Sequence, residues 1–209
     1  MQDNKIKVKQ MTRRAIQISS YVIWPMMIGM CVVAEPFIRL ILTEKWVHCV
    51  SYMQIFCISY GLYPIHTANL EALKAIGRSD LYLLLEITKK IIGFTILFAS
   101  IPFGPKAIAL SGLISGICSC FINGAPNVEL LNYSFKEQFS DLLGSFVIAV
   151  IMGACIFPIS LLPLSDFVIM TIQVVSGIIA YVLISIITKQ QSFYYLSNII
   201  FKRLKKRED

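Results

Sequence analysis

Long apolar stretches separated by short polar breaks set the pattern of this chain. Six stretches are each long enough to cross a bilayer as a helix: Ile16 to Leu42, Cys49 to Leu73, Leu81 to Phe103, Ala107 to Leu131, Leu142 to Leu162 and Phe167 to Thr188. About 20 apolar residues in a helix match the roughly 30 Å hydrocarbon core. The breaks carry turn or polar signals, such as Gly77-Arg78-Ser79-Asp80, Pro102-Phe103-Gly104-Pro105 and Pro163-Leu164-Ser165-Asp166. The expected fold class is therefore an all-α membrane protein, with about six transmembrane helices forming one bundle. Ser192 to Arg207 differs, mixing Phe193, Tyr194, Leu196 and Ile199 with a basic tail. It reads either as an amphipathic helix in the membrane interface or as a solvated tail.

Lys and Arg placement orients the bundle. With the N-terminus inside, the inner segments hold Lys5, Lys7, Lys9, Arg13, Arg14, Lys74, Arg78, Lys136, Lys189 and five basic residues between Lys202 and Arg207. The outer loops hold Lys45 and Lys106, with Arg39 near that edge. The split predicts both termini in the cytoplasm. It divides the chain into a basic cytoplasmic segment (1–15), the transmembrane bundle (16–188) and a basic cytoplasmic or interfacial tail (189–209). The first apolar run is too long for a secretory signal, so no signal peptide is expected.

Composition excludes an ordinary soluble domain. Apolar residues make up 56% of the 209 and charged residues 15%, against roughly 25% charged in soluble domains. Mean hydropathy is +0.72. The net charge of +7 gathers at the two ends, which points to anionic lipids at the basic tail and not to nucleic acid. The six cysteines include no Cys-x-x-Cys pair and sit mostly in apolar runs, as buried inert thiols do.

The informative residues are the polar ones at depth. The third segment carries Glu86, Lys89 and Lys90. From Ile91 to Phe103 the helix spans only about 20 Å at 1.5 Å per residue, so it must begin near Leu81, which draws Lys90 well into the membrane. A lysine or aspartate at the bilayer centre costs about 2.5–3.5 kcal/mol, and each large apolar residue returns about 0.3–0.6 kcal/mol. The segment is marginal against lipid and should face protein or a wet cavity. Glu86 and Lys90, four apart, share a face and are expected to pair. The three charges form either a cationic wall for an anionic head group or an ion pair that helps assembly. Glu35 and Arg39 read as a local surface pair. His66 and Asn69 read as an interhelical hydrogen-bonding group. Gly112 and Gly116 suggest close helix packing, and Pro25, Pro36, Pro64, Pro126 and Pro158 suggest kinks. No metal-ligand spacing is present.

His-Glu-x-x-His, Gly-x-Ser-x-Gly and Walker patterns are all missing, and the aspartates lie at helix ends or termini. The chain is expected not to be an enzyme and to need no cofactor.

Several stretches together resemble one family. Ala34-Glu35-Pro36-Phe37-Ile38-Arg39-Leu40-Ile41-Leu42-Thr43-Glu44-Lys45-Trp46 resembles a helix end of bacterial polysaccharide flippases. Glu71-Ala72-Leu73-Lys74-Ala75-Ile76-Gly77-Arg78-Ser79-Asp80 resembles a loop of theirs, and Leu85-Glu86-Ile87-Thr88-Lys89-Lys90 the charged run after it. Pro102 to Ala109 and Tyr133 to Phe139 fit in the same order. The chain thus looks like the C-terminal portion of a Wzx-like lipopolysaccharide or capsule exporter, within the superfamily of multidrug and toxin extruders. The resemblance implies two pseudo-symmetric bundles around a cavity, of which this chain is one lobe. It implies movement of undecaprenyl-pyrophosphate-linked oligosaccharide across the bacterial inner membrane, with Lys89, Lys90, Glu86, Arg78 and Lys74 meeting the substrate. Family members have about twelve to fourteen helices, so the partner would be the missing N-terminal bundle, in the same or another chain. Alternating access rocks two bundles about a shared site, and one lobe alone is not expected to flip lipid. A small-cation or drug exporter half, and a non-transporting scaffold of a glycan-assembly complex, are the alternatives.

Overall fold

The computed structural model describes residues 2–208, with side chains described for 5–199. It is all-helical: α1 (Gln2–Val32), α2 (Ala34–Leu42), α3 (Val50–Gly61), α4 (Tyr63–Ala75), α5 (Ser79–Ser100), α6 (Pro105–Leu131), α7 (Phe135–Ile156), α8 (Asp166–Ile187) and α9 (Gln191–Glu208), with short 3-10 turns at Glu44–Cys49, Ile101–Phe103 and Phe157–Leu161. Each expected apolar run corresponds to one rod. The first two rods are broken. Pro36 lacks an N–H and crowds the carbonyl four residues back, so the first rod kinks at Val33 between α1 and α2. Pro64 divides α3 from α4 at Leu62 in the same way.

Local chemistry sets the other boundaries. Gly104, at φ 88°, ends the third rod and hands over to Pro105 at the start of α6. Asn132 closes α6 in the left-handed conformation. Ser134 and Glu137 form a reciprocal capping box that opens α7. α1 runs unbroken from Gln2 through the basic segment before Ile16.

Four rods are long and apolar enough to span a bilayer: Lys5–Val32, Pro105–Leu131, Phe135–Leu161 and Asp166–Ile187. The remaining two are the α3–α4 pair, interrupted at Leu62, and α5, which carries Glu86, Lys89 and Lys90. Large apolar side chains stay exposed along α5 and α8, among them Phe94, Phe98, Ile178 and Leu183, as expected where lipid or another protein surface is the surrounding medium.

α1 stands at the centre, packed against α7, α4 and α3, while α8 covers α7 and α2. Ile16, Tyr21, Trp24, Ile65, Ala149, Met152 and Tyr181 belong to its core. Close approach depends on particular glycines. A Cβ at Gly61 would lie 2.9 Å or less from three atoms of the Trp24 ring, and one at Gly153 would lie 2.6 Å from Ile28. The expected close packing at Gly112 and Gly116 is not seen among the described residues, where a Cβ at either would meet nothing within 4 Å. Gly116 instead lines a cavity. On the far side α6 packs against α4 and α3, and α5 sits at the edge, held mainly by α6. α9 rests on α1, with Arg14 stacked 5.0 Å over the Tyr195 ring. The basic side chains from Lys202 to Arg207 lie outside the described residues.

Candidate functional site

The charged face of α5 turns toward α4 and α6. Seven residues separate Ser79 from Glu86, which places the carboxylate about 10 Å along the helix. Lys89 donates to Glu86 across one turn, and its side chain is 14% exposed against 32% for Glu86. The expected partner was Lys90. Residues three and four apart both reach on a helix, and the tertiary contacts decide: Lys89 points inward beside α6, while Lys90 is exposed.

The pair opens onto a cavity of about 460 Å³ between α4, α5 and α6. Tyr63, His66, Thr67, Glu71, Lys74, Tyr82, Ser115, Gly116, Ser119 and Asn123 line it with Glu86 and Lys89. Small side chains on α6 leave this space. Lys74 enters it from the end of α4, bonded to Glu71 at 2.7 Å, a hydrogen bond that raises the ammonium pKa. His66 sits at the wall with Nε2 3.5 Å from Cys120 Sγ and Nδ1 3.5 Å from Asn123 Nδ2. Lys90 belongs to an adjoining cavity of about 360 Å³ with Gly93, Phe94 and Leu97.

The structure therefore brings Glu86, Lys89 and Lys74 around one cavity and sets Lys90 in its neighbour. Arg78 does not join them. It turns to Asp80 at 2.8 Å in the exposed loop and, chiefly through that hydrogen bond, holds the carboxyl down at about 2. The cavity combines two cations, two carboxylates already paired with them, and neutral hydroxyl, amide and aromatic groups. Such a set can bind an anion by exchange of partners and can offer hydrogen bonds to a polar ligand.

Comparison with known proteins places the chain in a context. Residues 1–51 match the model of a family described as polysaccharide biosynthesis protein. Over 148 residues, 71% of this chain, it is 24% identical to a Klebsiella pneumoniae protein described as an uncharacterized membrane protein in the cps region. No solved structure matches. The chain is similar to polysaccharide-biosynthesis membrane proteins. The aligned stretch spans only 28% of the Klebsiella relative, and this polysaccharide-related, multi-pass membrane protein therefore corresponds to a minor part of that chain's length.

The part that matches the polysaccharide-biosynthesis family is α1, α2 and the turn after them, not α5. It supplies one side, Lys9, Arg13 and Gln17, of an anchor that the sequence alone did not reveal. Arg13 donates to Asp141 through Nε at 2.8 Å and Nη2 at 2.9 Å, Gln17 donates at 2.7 Å, and Tyr133 at 2.8 Å. Lys9 bonds Glu137 at 3.1 Å and the Asn132 carbonyl. A second buried group ties α4, α6 and α7: Asn69 donates to Gln138 at 2.9 Å, and Asn127 donates to Asn69 at 2.8 Å. One signal was available. Lys9, Arg13 and Gln17 recur every four residues, as Glu137 and Asp141 do, so each set marks one polar helix face.

Proposed function

We propose that the chain is the C-terminal half of a flippase that carries undecaprenyl-pyrophosphate-linked oligosaccharide across the bacterial inner membrane, for lipopolysaccharide, capsule or exopolysaccharide synthesis. The observation that carries this reading is the Lys89–Glu86 pair, with Lys90 beside it, against a cavity lined by polar and aromatic groups. On a helix that crosses the membrane such charges are costly unless a cavity or a ligand uses them, and lysine is a good point-charge binder of phosphate. The similarity to polysaccharide-biosynthesis proteins and to a membrane protein of a cps region supports the glycan side of the proposal.

α5 supplies one wall of the site, and the facing wall comes from an N-terminal bundle, in the same or another chain. In this reading all six rods cross the membrane, the three charged loops at Lys74, Lys136 and Lys189 lie in the cytoplasm with both termini, and the basic tail meets anionic lipid. The test is Lys89→Gln with Lys90→Gln in the assembled transporter in cells. Loss of surface glycan at normal membrane levels of the protein is expected. Unchanged glycan would remove these lysines from the mechanism.

A further inference from the structure

Two cavities meet at Lys89, and their chemistry differs. They share Glu86, Lys89, Ser115 and Ser119. Away from that waist, the larger cavity presents Tyr63, His66, Thr67 and Asn123 from α4 and α6. These are hydroxyl, imidazole, amide and aromatic groups, the set that hydrogen-bonds and stacks on a sugar. The smaller cavity presents Lys90, then Gly93, Phe94 and Leu97. Gly93 allows close approach there, since a Cβ would lie 3.2 Å from Ser115 Oγ.

The apolar side continues along α5. Phe94, Phe98 and Ile101 follow Lys90 at helical spacing on one face and are 56%, 66% and 51% exposed. The Phe94 and Phe98 ring centroids lie 6.4 Å apart. α5 is the edge helix, so among the described residues nothing covers that face. Lys90 makes no ion pair among the described residues.

We infer that α5 carries a bipartite site: the diphosphate sits at Lys89 and Lys90, the polyisoprenyl chain runs along Phe94, Leu97 and Phe98, and the first sugar enters the cavity of Tyr63, Thr67 and Asn123. Charge complementarity selects this occupant over a bare apolar helix. An unpaired cation at the head of an apolar stripe fits an anionic head group with an apolar tail, whereas a helix laid there would leave Lys90 uncompensated in hydrocarbon. The inference rests on the proposed lipid-linked ligand and adds which side of the shared waist takes which part of it.

The whole chain in lipid nanodiscs would be titrated with inorganic pyrophosphate, farnesyl diphosphate and UDP-N-acetylglucosamine. The double variant Phe94→Ala, Leu97→Ala should weaken farnesyl diphosphate about tenfold, toward pyrophosphate, and leave the sugar nucleotide within about twofold. Tyr63→Ala with Thr67→Ala should do the reverse. Pyrophosphate binding reports that each variant is folded. If the Phe94 and Leu97 variant loses pyrophosphate as well, Phe94→Leu, which keeps apolar surface, must bind farnesyl diphosphate like the wild type. Equal loss of both probes in both variants, or failure of Phe94→Leu, overturns the division of the site. Failure of the wild type to bind any of the three probes overturns the diphosphate reading itself, and the division with it.

Discussion

Arg13 and Asp141 lie 128 residues apart in sequence and meet side-on, with two guanidinium N–H groups on the two carboxylate oxygens at 2.8 and 2.9 Å. Asp141 is nearly buried, at 4%, whereas Arg13 stays 40% exposed. Gln17 and Tyr133 take up further carboxylate lone pairs. The contact joins the N-terminal part of α1 to the start of α7, the most extensively packed pair of helices in the bundle.

Asp141→Ala should therefore be among the most damaging single changes outside the apolar core. Breaking a buried ion pair costs about 3–5 kcal/mol, and the exposure of Arg13 lowers this to about 2–3 kcal/mol. Arg13→Lys keeps the charge but loses the two-pronged geometry, and should cost about 1 kcal/mol. Thermal unfolding in detergent measures both, and equal stability of Asp141→Ala and wild type would show that the anchor contributes nothing.

The ends of the rods were readable because apolar length and proline position are local properties. Pro36 and Pro64 stand in the sequence where α2 and α4 begin. Lateral order was not readable. A helix that is apolar all round gives no sign of which stripe meets protein, so nothing in the sequence put α1 at the centre or α5 at the edge. The same limit hid the Arg13–Asp141 contact, since a charge near a helix end is usually hydrated. It also gave Glu86 the wrong partner: spacing permits Lys89 and Lys90 alike, and only the presence of α6 chooses between them. The cluster Glu86, Lys89 and Lys90 was legible as three charges in an otherwise apolar run, while the cavity beside it needed Ser115, Gly116 and Ser119 on a neighbouring helix.

The glycines give a contrast that sequence spacing would reverse. Gly61→Ala drives a methyl group into the Trp24 indole, itself held edge-on against Phe146 at 4.5 Å. It should lose about 1–3 kcal/mol. Gly112→Ala meets open space and should be neutral or gain up to about 1 kcal/mol from helix propensity. If Gly112→Ala proved the worse of the two in a denaturation series, α6 would have to pack against a neighbour at Gly112.

Acid should leave the Arg78–Asp80 pair intact over the working range. The folded carboxyl is held near 2, below its usual 3.8. A depressed carboxylate contributes fully above its ordinary value, and the contribution is lost as pH falls through the folded value. The pair should therefore persist down to about pH 4 and break toward pH 2. Carboxyl chemical shifts of Asp80 would follow this, and in Arg78→Gln the midpoint should move up to the ordinary carboxylate range.

The orientation of the two neighbouring lysines is open to direct chemical test. Lys89 is 14% exposed and tied to Glu86, while Lys90 is exposed and faces the smaller cavity. Cysteine placed at position 90 should react with a small membrane-permeant maleimide at least several-fold faster than cysteine at position 89. Glu86→Gln removes the charge that holds Lys89 and should raise labelling of the native Lys89 amine by a permeant acylating reagent, with Lys90 unchanged. Inorganic pyrophosphate, if it binds at the waist, should protect both lysines together. Equal reactivity at 89 and 90 in the free protein would mean that α5 is rotated relative to α6. The cation at the head of the Phe94 and Phe98 stripe would then have to be Lys89.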